Sequence, residues 1–108
     1  MPLALKGQLT VGACIVAADQ LVRLIDLRTH DGVPVLDAVV QVAMTDAGGA
    51  VVQASTPMPH YDGYGYIAQL EDDRPLVAGR LYVVVVTAVG GGYTTTWRTT
   101  CVARPQAP

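Results

Sequence analysis

Leu81-Tyr82-Val83-Val84-Val85-Val86-Thr87-Ala88 is the stretch on which the fold turns. It is uncharged, built around four successive valines, with Gly79 before it and Gly90-Gly91-Gly92 after it. β-Branched side chains are stiff at χ1 and pack well on a pleated surface, so such a run favours a strand. An apolar run of strand length with no alternation predicts a central strand covered on both faces.

Working outward, the triple glycine reads as a hairpin turn into a final strand, Tyr93 to Ala103. Period-two alternation places Trp97, Thr99 and Cys101 on one face of it and Thr96, Arg98 and Thr100 on the other. Upstream, Leu21 to Arg28 reads as a strand that ends at the turn His30-Asp31-Gly32 and Pro34. Val35 to Thr45 follows, with Ala38, Val40, Val42 and Met44 inward, against Asp37, Gln41 and Thr45. Asp46-Ala47-Gly48-Gly49 closes a hairpin into Ala50 to Ser55. The prolines of Thr56-Pro57-Met58-Pro59-His60 interrupt a hydrogen-bonding ladder, so this stretch is expected to cross between sheets. Tyr64 to Leu70 reads as a strand with Tyr64, Tyr66, Ala68 and Leu70 on one face, and Glu71 to Gly79 as a loop. No ten-residue segment carries helical periodicity. Six or seven strands separated by turn chemistry predict an all-β sandwich or barrel.

The chain has 108 residues, enough for one domain that needs no staples. Residues 1–20 read as an N-terminal arm or first strand, 21–104 as the β-sandwich domain, and 105–108 as a short tail. Thr10-Val11-Gly12-Ala13-Cys14 faintly resembles a lipoprotein cleavage box. Lys6, Gly7 and Gln8 break the apolar stretch before it, which argues against a secretion signal. No stretch approaches the ~20 apolar residues of a membrane span. Charged residues make up 15% of the chain, against about 25% in typical soluble domains. A small domain so poor in charge is expected to cover part of its surface with partners. The net charge of −2, with no Lys or Arg run, predicts no nucleic-acid face.

Candidate chemistry is sparse, and no catalytic, cofactor or metal residues are assigned. His30 and His60 lie in loops near Asp31 and Asp62, but no metal-binding spacing accompanies them. Ser55 is the only serine and lacks a nucleophile-elbow context. Glu71, Asp72 and Asp73 offer hard oxygens for calcium, with a solvated acidic loop as the simpler reading. Cys14 and Cys101 are either a disulfide from the N-terminal segment to the last strand or two buried thiols. Tyr61 and Tyr64 flank Asp62-Gly63, where exposed aromatics can anchor a partner or stack on sugars; the alternative is that Tyr64 and Tyr66 pack on the sandwich edge. In the apolar arm, Leu3, Leu5, Val11 and Ile15 are the candidate docking residues.

Asp31-Gly32-Val33-Pro34-Val35-Leu36-Asp37-Ala38-Val39-Val40 resembles the opening of Ig-like and transthyretin-like sandwich modules. Tyr61-Asp62-Gly63-Tyr64-Gly65-Tyr66, Leu70-Glu71-Asp72-Asp73, Leu76 to Tyr82, Thr87-Ala88, Gly90-Gly91-Gly92 and Trp97-Arg98 form an ordered series over about the last half of the chain. That series is similar to small virion proteins of tailed bacteriophages. The resemblance implies an Ig-like β-sandwich of about seven antiparallel strands with an N-terminal arm. It further implies a non-enzymatic virion component of the neck, tail collar, short fibre or capsid decoration, assembled in the host cytoplasm. Expected partners are portal, adaptor, tail or capsid subunits and further copies of the chain, with no nucleic acid and no membrane. The alternative is a carbohydrate- or receptor-binding Ig-like module that uses the Tyr61–Tyr66 loop. A transthyretin-like hydrolase shares only the architecture, since its His and Arg constellation is not recognisable here.

Overall fold

A computed structural model describes residues 5–105. It contains strands β1 (Lys6–Val11), β2 (Gln20–Arg28), β3 (Val39–Asp46), β4 (Val51–Pro57), β5 (His60–Tyr61), β6 (Gly65–Leu70), β7 (Leu81–Gly90) and β8 (Tyr93–Val102). They form two antiparallel four-stranded sheets, in the orders β1-β2-β6-β5 and β4-β3-β7-β8. The described residues contain no helix. Eight strands replace the expected seven, because the two-residue β5 pairs with β6 where a loop was expected. The first segment is a strand of the sheet: Lys6–Val11 pairs along β2.

The sheets face each other across one core. Val22, Leu24 and Leu27 of β2 and Tyr66, Ala68 and Leu70 of β6 meet Val40, Val42 and Met44 of β3 and Tyr82, Val84, Val86 and Ala88 of β7. Each large side chain buried there contributes roughly 1.5–3 kcal/mol relative to exposure. The inward set expected for β3 is the one observed. The chain does cross between sheets in the proline stretch, but only at Met58 and Pro59: β4 runs on through Thr56 and Pro57, paired with Val42 and Gln41, β5 begins at His60 in the other sheet, and Met58 between them is 2% exposed.

Two boundaries and one burial pattern differ from the sequence expectation. β3 begins at Val39, because the segment before it is held by a side chain. The Tyr66 hydroxyl donates to the Val35 carbonyl at 2.8 Å and accepts from the Ala38 amide at 3.0 Å. β6 begins at Gly65, so Tyr64 lies in the turn and not on the strand's inner face. Gly65 has φ +79°, and a Cβ there would stand 2.6 Å from the Leu24 carbonyl oxygen. Finally, β7 is central but covered on one face only: Tyr82, Val84, Val86 and Ala88 are buried, while Val83, Val85 and Thr87 are only half-buried.

Two polar anchors hold the β6–β7 loop. The Tyr82 hydroxyl accepts from the Val77 amide at 2.7 Å. Arg74 is buried, and its guanidinium donates to Gln20 Oε1 (2.6 Å), the Glu71 carbonyl (2.9 Å) and the Ala18 carbonyl (3.2 Å). The opposite seam is closed where the Leu5 amide donates to Thr95 Oγ1 at 2.9 Å and the Arg104 amide donates to the Cys14 carbonyl at 2.9 Å.

Candidate interaction face

The outward side of β7 lies between the outward sides of β3 and β8, and the register sets out its rows. Val39, Val89 and Thr94 lie abreast, followed by Gln41, Thr87 and Thr96, then Ala43, Val85 and Arg98, then Thr45, Val83 and Thr100. Leu81 and Val102 complete the end next to the last row. Arg98 is the one charge among these residues. Val39 is 62% exposed, Val102 50% and Val89 48%.

Three strands about 4.8 Å apart, with same-face residues about 6.8 Å apart, give roughly 400 Å² in projection. A patch of that size matches the largest one on a typical monomer, which is often functional. The outward side of the other sheet carries more charge: Lys6, Arg23 and Arg28 lie there with Gln8, Thr10, Gln69 and the apolar Leu21, Ile25 and Ile67. β8 is also an edge strand, ten residues long with no proline. Long flat edges with little charge are ready templates for another chain.

A second feature is a cleft of about 360 Å³, lined in part by Arg23, Asp26, Arg28, Leu36, His60 and Tyr64. It opens because pairing of β2 with β6 stops at Leu24 opposite Tyr66. Beyond that point Asp26, at φ +55°, lies at the register shift between β1 and β2. A non-glycine residue in left-handed conformation inside a strand re-aims the chain, as bulges do. Arg23 donates through Nε (3.3 Å) and NH2 (3.0 Å) to the Tyr64 carbonyl, and its guanidinium carbon stands 5.9 Å from the Tyr64 ring centroid. Tyr64 and Tyr61 are 60% and 54% exposed at the same turn. His60 packs edge-on against Tyr66, and its Nδ1 is 3.9 Å from Asp62. At the neighbouring turn, the Thr29 hydroxyl donates to the Asp31 carboxylate and holds its pKa below the usual range.

The structure separates the candidate docking residues. Leu3 lies outside the described residues. Leu5 is buried, while Val11 and Ile15 are half-buried, Val11 against the core and Ile15 bridged to Arg104. Among the described candidates, Leu5 and Val11 pack into their own chain, Ile15 is tied to Arg104 through its backbone, and Tyr61 and Tyr64 are the exposed ones. Sequence reasoning did not single out Val39, Val83, Val85, Val89 and Val102. The signal was the valine run itself, whose second face has no layer above it. Among the described residues no three His, Cys, Asp or Glu side chains cluster as a metal site. Comparison with family models, curated proteins and solved structures finds no match to this chain.

Proposed function

We propose that this protein is a non-catalytic, Ig-like structural module of a tailed-phage virion, at the neck, tail or capsid surface, and that it docks through the outward side of β3, β7 and β8. The observation that carries the docking part is the uncharged Val and Thr face, with Arg98 alone in charge. At roughly half the per-partner area of a standard interface, such a face suits a subunit present in many copies, where multivalency supplies the rest.

The Ig-like reading rests on strand order. β1-β2-β6-β5 and β4-β3-β7-β8 correspond to the two sheets of Ig sandwiches, with Tyr82 standing where such domains carry their corner tyrosine. The chain departs from antibody domains in having no cysteine on β2 or β7. The phage assignment rests on the ordered motifs from Tyr61 to Arg98. Mass spectrometry of purified virions from the encoding phage tests it. Multiple copies per particle are expected; absence from particles, with the protein abundant in the infected cell, contradicts it.

The cleft favours a second reading, a carbohydrate- or receptor-binding module, because Arg23 fixes an exposed Tyr64 beside polar groups. A glycan array separates the two. Binding that is lost in Tyr64→Ala supports this reading, and a blank array alongside incorporation into virions supports the first.

A further inference from the structure

Cys14 and Cys101 are free thiols, and their side chains hydrogen-bond to each other. Cys14 follows β1 and is buried, while Cys101 lies on the inner face of β8 and is half-buried. Their backbones are held together from nearby: Arg104 donates to the Cys14 carbonyl and Val16 donates to the Arg104 carbonyl, each at 2.9 Å. The fold thus sets the Cys14 backbone beside the residues that follow β8, with Cys14 in the core and Cys101 packed against that same core.

We propose that Cys14 and Cys101 are a disulfide-forming pair, oxidised within the folded chain by small-molecule disulfides, so that the bond staples the β1–β2 connection to the last strand. This stands apart from the docking role and holds whatever the partner is. The half-buried Cys101 reacts first. Its thiolate attacks one sulfur of the oxidant, forming a mixed disulfide and releasing one small thiolate. Cys14 then gives its proton to solvent, and its sulfur attacks Cys101 Sγ and expels the second small thiol. Two protein S–H bonds are lost and one S–S bond is gained, while the oxidant's S–S bond becomes two thiols. Burial raises the pKa of the Cys14 thiol, so this second step accelerates with pH.

A bond closing so long a loop restricts the unfolded chain strongly. The test uses the full wild-type chain, incubated folded with oxidised glutathione at pH 8 and then denatured and alkylated for mass spectrometry. Expected are joint loss of both thiols, a mass lower by two hydrogens, a peptide linking Cys14 to Cys101, and a Tm higher by at least about 10 °C. Retention of two alkylatable thiols, a lasting glutathione adduct on Cys101, cross-links between chains, or a linked monomer that melts no higher would each overturn the proposal.

Discussion

Arg74 sits in an acidic loop, where a basic residue reads from sequence as solvated, yet its guanidinium is turned inward onto Gln20 and the Ala18 carbonyl. Nothing in Glu71-Asp72-Asp73-Arg74 signals this, because the partners lie more than fifty residues upstream. Arg74→Met leaves those buried acceptors without donors and is expected to cost about 2–4 kcal/mol in urea unfolding. A loss under about 0.5 kcal/mol would mean that the loop carries no anchor. Cys14 gives a pH dependence of definite sign. Its thiol is raised from 9.0 to about 12, by burial first and then by the Cys101 hydrogen bond. The unfolded chain therefore releases this proton before the folded chain does. The stability it contributes is complete below about pH 9 and is lost as pH rises toward 12. Urea midpoints from pH 8 to 11, under reducing conditions, are expected to fall more steeply for wild type than for Cys14→Ala; parallel curves would contradict this.

At the scale of elements, strand positions were legible because Val, Tyr and Thr runs alternate with glycine and proline turns. The start of β6 was not. Alternation put Tyr64 on the strand with Tyr66, but with the left-handed φ of Gly65 and its approach to the Leu24 carbonyl the strand starts one residue later. Period-two patterning carries no information on such a contact. Two alanine substitutions separate backbone conformation from crowding. Gly63 has φ +83° with open space around it, so Gly63→Ala is expected to cost about 1–2 kcal/mol from conformation alone. Gly65→Ala adds the clash and is expected to cost at least about 1 kcal/mol more, read from denaturant midpoints. Equal losses would mean that β6 can shift away from β2 freely. The start of β3 likewise depends on a tertiary contact, the Tyr66 hydroxyl bridging Val35 and Ala38, which the local sequence does not announce.

For the whole molecule, the valine run of β7 was read as a strand covered on both sides, and the described residues supply only one of the two layers. The hydrophobic pattern was legible; which face stays bare was not, because that depends on how many layers the topology builds. The candidate site was legible in part. Tyr61 and Tyr64 are exposed at one turn, one of the two alternatives left open for them, whereas Leu5 and Val11 serve their own core, Ile15 bridges to Arg104, and the face centred on Val83 and Val85 emerges only from the register. Val85→Asp tests that face most directly, since its side chain points away from the core between Ala43 and Arg98. Incorporation of the variant into virions, measured beside its melting temperature, is predicted to fall at least about tenfold while Tm shifts by no more than a few degrees, because the added carboxylate and the pair it makes with Arg98 across the register must be desolvated in the docked layer. Incorporation at the wild-type level by a normally folded Val85→Asp chain would contradict the account.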